Sequence, residues 1–203
     1  MSSAVERYFR HYPERTSRLR ARLFRRGEEE RMRVVRTWLP DTTGLDILDA
    51  GCGDGEFLSR LLHGRPARLR LEDCVRKWTE MARERHQDTA DHVEAVSTDV
   101  RTSPDRARYD AVLAFGLFDY EVDWPGMLTC LLSRSRRWLI ADFPKSGTCR
   151  SRARSVWLRA HGVVYHSTRR APLESLLRPA AAAVDIEELP LQWVARLEIT
   201  PPA

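Results

Sequence analysis

The feature that most constrains the fold is a run of alternating glycines directly after a short apolar segment. Residues 45–50 are apolar apart from two aspartates, and Gly51, Gly53 and Gly55 follow. Glycines in this pattern let the backbone turn sharply and let a ligand approach atoms that a Cβ would block. The spacing is neither the GxGxxG of a dinucleotide site nor a phosphate loop followed by Gly-Lys-Ser/Thr. It predicts a buried strand, a tight turn and a helix that begins beside a ligand.

The rest of the chain alternates between strand-like and helix-like segments. Strands are predicted over residues 45–50, 67–71, 92–97, 109–115, 137–143, 183–187 and 192–199, and helices over 56–63, 75–86, 124–132 and 172–178. This alternation is typical of βαβ units, which form a parallel sheet through right-handed crossovers. Pro190 favours a hairpin between the last two strands and therefore an antiparallel edge. Residues 3–39 have helical spacing and predict two helices, broken near Pro13 and closed by Pro40.

Length and composition exclude several classes of protein. The chain has 203 residues, of which 42% are hydrophobic and 31% charged, and no apolar run approaches the ~18 residues that a membrane span needs. We therefore expect one soluble domain over residues 1–203 and no membrane partner. Residues 1–10 carry charges where a signal peptide is apolar, so the expected location is cytoplasmic. The cysteines have no CxxC pairing and no nearby histidine, which predicts free thiols and no metal site: Cys52, Cys74, Cys130 and Cys149.

The charge balance raises the question of nucleic acid. The net charge is +5 and the isoelectric point is near 9.3, and clustered basic residues gain affinity for phosphates through counterion release. However, all but two of the 34 basic residues are arginines, a bias typical of GC-rich coding. Aromatic residues are not interleaved with these arginines in a stacking pattern. A small-molecule partner is therefore favoured over nucleic acid.

The glycine segment resembles motif I of the class I S-adenosylmethionine (SAM)-dependent methyltransferases, an acidic residue followed by GxGxG. Here the acidic residue is Asp49, and the turn runs from Gly51 through Cys52 and Gly53 to Gly55. The resemblance implies an α/β fold with a Rossmann-like, doubly wound, mostly parallel seven-stranded sheet. It implies SAM as cofactor and S-adenosylhomocysteine (SAH) as product. The turn is then expected to lie under the amino-acid part of SAM, with Asp49 at its amino group.

The segment after the second strand continues the resemblance. Asp73 stands nine residues before Ala82, where the family places the carboxylate that holds the ribose hydroxyls. Glu72 is the rival carboxylate, and counting back from the helix favours Asp73. Cys74, the next residue, is expected beside the cofactor. A carboxylate suits this position because each buried ribose hydroxyl needs an acceptor.

The third and fourth strands supply the remaining cofactor positions. Asp99 follows the third strand where the family contacts the adenine amine, and the backbone of Val100 is expected at a ring nitrogen. For Asp99 a simple turn carboxylate is the alternative. Phe115 and Gly116 end the fourth strand, and the resemblance places them near the methionine moiety and sulfonium.

The acceptor side is defined by fewer residues. Asp119 and Tyr120 stand where many relatives carry a Glu-His pair, so they are expected to face the acceptor. His166 is the first choice for a general base, because histidine titrates near neutrality; a histidine held by a loop carbonyl is the alternative. Arg154 belongs to an alternating arginine series that recruits an acidic substrate or, more commonly, forms a solvated face. Tyr8, Phe9 and Tyr12 are expected to cap the sulfonium of SAM or the acceptor, with plain amphipathic packing as the alternative.

In this interpretation the chain divides into three parts. Residues 1–40 form an N-terminal helical lid, residues 41–203 form the Rossmann-like core, and residues 145–170 cover the substrate side. The segment that begins at Ala141 and ends at Tyr165 and His166 is loosely similar to small-molecule O-methyltransferases such as the magnesium-protoporphyrin and quinone enzymes.

Three functions fit this sequence. The leading one is methyl transfer from SAM to a small molecule, at a hydroxyl oxygen, in secondary metabolism. The second is an RNA methyltransferase, which the charge favours, although no Asn-Pro-Pro-Tyr-like motif follows the fourth strand and no RNA-binding module is appended. The third is a SAM-binding protein that does not methylate, either a SAM-assisted cyclase or a ligand-gated partner.

Overall fold

A computed structural model describes Tyr8 and residues 27–199 of the chain. The strands are β1 (Asp46–Ala50), β2 (Arg68–Asp73), β3 (His92–Ser97), β4 (Tyr109–Ala114), β5 (Ser135–Pro144), β6 (Ala183–Glu188) and β7 (Gln192–Glu198). The helices are α1 (residues 27–38), α2 (Glu56–Leu61), α3 (Arg76–His86), α4 (Trp124–Ser133), α5 (Cys149–Ala160) and α6 (Arg170–Leu177).

The seven strands form one mixed sheet in the order β3-β2-β1-β4-β5-β7-β6. The first five strands in this order are parallel to one another, and β7 runs antiparallel to both β5 and β6. This confirms the predicted α/β fold class and its antiparallel C-terminal edge. The strand order reverses at β1, which lies between β2 and β4, and open α/β sheets bind ligands outside the carboxyl ends of the strands at such a point.

Apolar layers cover both faces of the sheet. Along β1, Ile47 packs into the layer that contains α1, whereas Leu48 packs into the layer on the opposite face. Val35 of α1 and Leu39, the residue directly after α1, are fully or almost fully buried in the same layer as Ile47. Strands that are buried on both faces read as continuous apolar runs, which is why the sequence pattern locates them.

Element ends differ from the predicted ones by a few residues, for local reasons. Helix α2 ends at Leu61 because Leu62 turns to an extended conformation. Strand β5 extends to Pro144 because it pairs there with Gln192 of β7. At the N-terminus, residues 27–38 are helical, as predicted. The break near Pro13 and the first predicted helix lie outside the described residues, apart from Tyr8.

Candidate active site

The glycine turn leaves β1 and is fastened to β2. The backbone N–H groups of Gly51 and Cys52 donate to the carbonyl of Glu72, at 2.7 and 3.1 Å. Gly53 has φ +54°, and a Cβ built on it would meet no atom within 4 Å. The turn therefore presents its backbone to open space at the carboxyl edge of the sheet, which is the side that a ligand can approach.

Gly55 has a different role within the same turn. A Cβ at this position would lie 2.9 Å from the ring of His86. The Nε2 of His86 lies 3.0 Å from the carbonyl of Gly55 and must carry the proton, because a carbonyl only accepts. Burial lowers the pKa of His86. Gly55 thus permits close packing of α2 against α3 rather than ligand approach.

Asp73 holds the turn from β2 and faces a crevice at the strand ends. Its carboxylate accepts from the N–H of Gly53 at 3.1 Å and from that of Val75 at 2.8 Å. The crevice brings together several of the predicted cofactor residues: its lining is Gly51, Asp73, Cys74, Thr98, Asp99, Val100, Leu117 and Met127. Burial raises the pKa of Asp73, although the two backbone donors oppose that change.

The rival carboxylate Glu72 does not line this crevice. It is fully buried and accepts from Arg134 at 2.6 and 3.0 Å and from Arg70 at 2.6 Å. Ser103 adds a further hydrogen bond at 2.8 Å. Of the two neighbouring carboxylates, only Asp73 is therefore open to a ligand.

Asp49 is buried beside the turn, and little positive charge offsets the cost of burying its carboxylate. Its burial and the nearby charge of Asp73 raise the pKa of Asp49 to about 7, while Arg31 acts in the opposite direction. The same environment raises the pKa of the Cys52 thiol, first through burial and then through the charges of Asp49 and Asp73. A cationic ligand group beside Asp49 would relieve this imbalance.

Two residues that the sequence analysis gave no role complete this part of the site. Arg31 of α1 forms an ion pair with Asp142 of β5, and its guanidinium lies 4.2 Å from the ring centroid of Phe57. Asp142 also accepts from the N–H of Gly116 at 2.6 Å, and the ring of Phe115 lies 4.6 Å from that of Phe57. An acidic residue near the carboxyl end of a buried strand was a usable signal for Asp142. The sequence offers none for Arg31, one of many arginines.

The three predicted acceptor-side residues lie together. Asp119 pairs with Arg154 at 2.7 Å, and Arg154 donates to the hydroxyl of Tyr120 at 2.5 Å. The backbone N–H of His166 donates to the carbonyl of Asp119 at 3.0 Å. A solvated face was one alternative predicted for the alternating arginines. This prediction is wrong for Arg154, because its guanidinium pairs with Asp119 and donates to Tyr120.

The protonation of this group follows from its burial. Burial, together with the charge of Asp119, raises the pKa of Tyr165 to about 12 even though Arg154 opposes the change. Tyr165 is therefore a neutral phenol near pH 7 and not a base. The Nε2 atom of His166 is buried and has no hydrogen-bond partner among the described residues. Buried polar side-chain atoms nearly always have a hydrogen-bond partner, so this nitrogen is a candidate contact for a bound molecule.

Tyr8 lies on the acceptor side. Its hydroxyl accepts from the indole N–H of Trp157 at 3.3 Å, and its ring meets His161 edge-on at 5.6 Å. It also packs on a small apolar cluster that includes Tyr120 and Leu158. These contacts fit the acceptor-capping version of its expected role. Phe9 and Tyr12, proposed beside it, lie outside the described residues.

A second concavity lies away from these groups, along α1 and α2. It is an open surface groove lined by Glu29, Met32, Arg33, Arg36, Thr37 and Arg60. None of the strand ends or predicted site residues contributes to it. The strand-end crevice is therefore the candidate ligand site, because the predicted cofactor residues line it, although the groove along α1 and α2 is larger.

The sequence and the fold both resemble those of known methyltransferases. Residues 47–139 match the family model described as a methyltransferase domain. That family model and the structural neighbours described below are class I SAM-dependent methyltransferases. The matched segment begins within β1 and includes the glycine turn, Asp73 and Asp99. A search of curated protein sequences finds no match.

Solved methyltransferase structures share the fold. Magnesium protoporphyrin IX methyltransferase from Synechocystis PCC 6803, with bound SAH, superimposes with a TM-score of 0.74 at 17% identity, covering 97% of this chain and 98% of that one. The N-methyltransferase NodS from Bradyrhizobium japonicum WM9, in complex with SAH, gives 0.61 at 15% identity, covering 84% and 86%. An O-methyltransferase family protein from Burkholderia thailandensis gives 0.70 at 13% identity, covering 98% and 64%. At such identities these relatives establish the methyltransferase fold, and their acceptors differ.

Proposed function

We propose that this methyltransferase transfers the methyl group of SAM to a hydroxyl oxygen of a small molecule, in secondary metabolism. The observation that carries the proposal is that two sets of side chains lie at the same edge of the sheet, where the parallel strands end. One is the set of undercompensated carboxylates Asp49 and Asp73 at the glycine turn. The other is the acceptor-side group of Asp119, Tyr120 and His166, which begins three residues after Gly116.

The chain's residues fit SAM by charge and hydrogen bonding. Asp49 would face the ammonium group, because a cation stabilises its ionised form. Asp73 would accept from the ribose hydroxyls, and Asp99 with the backbone of Val100 would hold the adenine. Phe115 and Gly116 would lie beside the methionine moiety.

Methyl transfer demands little from the protein beyond orientation. When bound, SAM supplies an electrophilic methyl group on a sulfonium. Holding the acceptor in line with that group can supply about 7–11 kcal/mol of barrier reduction in favourable cases. Arg154 fixes the positions of Asp119 and Tyr120, and Asp119 fixes the backbone of His166. The buried Nε2 of His166 then takes the hydroxyl proton as the new bond forms.

A transfer assay with methyl-labelled SAM tests the reaction class. The acceptors would be a set of small phenols and alcohols, a matched set of small amines, and total RNA. We expect label on hydroxyl-bearing small molecules. Label on amines or RNA alone would overturn the proposed acceptor, and tight SAM binding without transfer to any of them would favour a protein that binds SAM without methylating.

His166 is the residue on which the proposed base depends. His166→Ala should lower turnover on a hydroxyl acceptor by roughly 10²–10⁴-fold. SAM affinity should be nearly unchanged, because the proposed SAM contacts come from the ends of β1 to β4, whereas His166 lies between α5 and α6. His92→Ala is the matched control, since His92 is an exposed histidine at the amino end of β3, at the opposite edge of the sheet from the site. Normal turnover by His166→Ala would show that orientation alone, with Asp119 or Tyr120 assisting, drives the reaction.

A further inference from the structure

Large apolar side chains remain exposed on the segment that covers the acceptor side. Val156 is 71% exposed, Trp157 58% and Val164 51%. Among the described residues, the only other large apolar side chain with such exposure is Val122, which stands between two acidic residues. Exposed apolar side chains concentrated on one segment mark an interaction surface more often than scattered ones do.

Helix α5 adds positive charge to the same surface. It contains four arginines and no acidic residue. Arg152 and Arg159 are exposed, and they stand four residues before and three residues after Val156, on one face of the helix. We call Arg152, Val156, Trp157, Arg159 and Val164 the α5 surface.

The opposite face of α5 belongs to the acceptor site. Leu158 is buried with Tyr120 and Val163 in one apolar cluster, and Arg154 pairs with Asp119. Helix α5 thus holds the acceptor-side residues with its inner face, and its outer side, with Val164 just beyond its C-terminal end, forms the α5 surface.

We propose that the α5 surface binds peripherally to anionic lipid bilayers. Tryptophan and aliphatic side chains gain free energy on entering the boundary between headgroups and acyl chains, while arginines pair with lipid phosphates. The valines favour lipid over RNA, since an aliphatic side chain neither stacks on bases nor pairs with phosphates. No helix of the described residues is long and apolar enough to cross a bilayer, so the contact is with the surface. The expectation of no membrane partner rested on spanning segments and did not address this mode.

Docking in this way would hold the acceptor-side residues close to the membrane, with α5 between them and the lipid. An acceptor that partitions into lipid would then be concentrated near the site. This consequence rests on the proposed function, whereas lipid binding itself does not. The test therefore uses the full chain without SAM and without an acceptor.

The experiment is co-sedimentation with vesicles of phosphatidylcholine alone and of phosphatidylcholine mixed with phosphatidylglycerol. We expect binding to the mixed vesicles that weakens as salt is raised, and little binding to the neutral ones. The double variant Arg152→Glu/Arg159→Glu and, separately, Val156→Ser/Val164→Ser should each lower the partition coefficient about tenfold or more. Trp157 fluorescence should shift to the blue on binding, and Trp157→Phe should remove that shift.

The matched control is Arg106→Glu/Arg137→Glu, which changes the net charge equally at exposed positions near the amino ends of β4 and β5. It should retain vesicle binding. If the control lost vesicle binding to the same extent, the effect would come from net charge alone, and the proposal would be overturned. Absence of binding to the mixed vesicles, unchanged binding by Val156→Ser/Val164→Ser, or tighter binding of RNA than of vesicles at physiological salt would also overturn it. Thermal unfolding of each variant, followed by circular dichroism, shows that it is folded.

Discussion

Glu72 and Asp73 are neighbours on β2, yet their surroundings are opposite in character. Burial alone would raise the pKa of Glu72, but hydrogen bonds from Arg134 and Arg70 outweigh it and lower that pKa. Asp73 faces the crevice, where burial raises its pKa. Asp49, across the turn, has its pKa raised to about 7, first by burial and then by the charge of Asp73. Successive side chains of a strand point to opposite faces, so one residue separates the two environments.

Glu72 therefore stabilises the fold, whereas Asp49 and Asp73 have the surroundings of carboxylates that bind a ligand. Arg134, the residue between α4 and β5, reaches Glu72 from 62 residues away in the chain. That ion pair ties β2 to the turn that leads into β5. At the crevice, in contrast, the protein supplies Asp49 and Asp73 with less positive charge than their burial demands. Substitution of Glu72 should therefore lower mainly the free energy of unfolding, whereas substitution of Asp49 or Asp73 should change mainly the affinity for SAM.

The largest effect is expected at Glu72. Glu72→Gln leaves two buried guanidinium groups without their shared carboxylate and should lower the free energy of unfolding by about 3–5 kcal/mol. Urea denaturation measures it. Glu94→Gln is the control: Glu94 pairs with Arg70 at 2.5 Å but its side chain is 41% exposed, so the cost should stay below about 1 kcal/mol. Equal costs for the two variants would break the distinction between buried and exposed partners.

Asp73 tests the other half of the comparison. Asp73→Ala should weaken SAM binding by about 1–3 kcal/mol, because two ribose hydroxyls lose a buried acceptor. Its effect on unfolding should be much smaller than that of Glu72→Gln. Isothermal titration calorimetry gives the affinity. Unchanged affinity would remove the ribose contact from Asp73, since Glu72 is enclosed and cannot replace it.

The pH dependence of binding sharpens the comparison at Asp49. With its pKa near 7 in the free protein, Asp49 is largely protonated at pH 6, and a bound ammonium group would favour the ionised form. SAM affinity should therefore rise with pH, by at most about tenfold per unit, and level off above pH 7. Asp49→Asn should bind SAM more weakly and lose most of this dependence. Affinity of the unmodified protein that is flat from pH 5 to 7 would contradict the assignment.

The same shift determines the sign of the effect of Asp49 on stability. A folded-state pKa raised from 3.8 to about 7 means that the contribution of Asp49 is fully present below pH 3.8 and is lost as pH rises through 7. Asp49→Asn should thus stabilise the free protein modestly at pH 8, measured by urea denaturation. Glu72 has the opposite sign, because its pKa is lowered and its stabilisation is lost in acid. Destabilisation by Asp49→Asn at pH 8 would contradict this account.

The sheet and the glycine turn were predictable because they leave local patterns. Strand β3 has the bounds predicted for it, and the hairpin of β6 and β7 forms around Pro190. Apolar runs identify strands that are buried on both faces, and glycines identify turns that need positive φ or close approach. The ends of β5 were missed because they depend on pairing with strands elsewhere in the chain: Ser135 pairs with Tyr109 of β4, and Pro144 pairs with Gln192 of β7, 48 residues further along.

The electrostatics of the site were not predictable from local patterns. Nothing near Arg134 or Arg31 in the sequence distinguishes them from the other arginines, because their partners Glu72 and Asp142 lie 62 and 111 residues away. Arg154 was expected in a solvated series and is instead paired with Asp119. Charge pairing depends on which surfaces the fold brings together, and so it emerges only from tertiary structure.

The most direct test of the account is a backbone-amide NMR titration of the protein with SAM. The two concavities predict different maps of chemical-shift change. Binding in the crevice should give saturable shifts that are largest at Gly51, Gly53 and Cys74. Shifts confined to the groove around Met32 and Arg36, or the absence of saturable shifts, would contradict the claim that the undercompensated carboxylates at the strand ends form the SAM site.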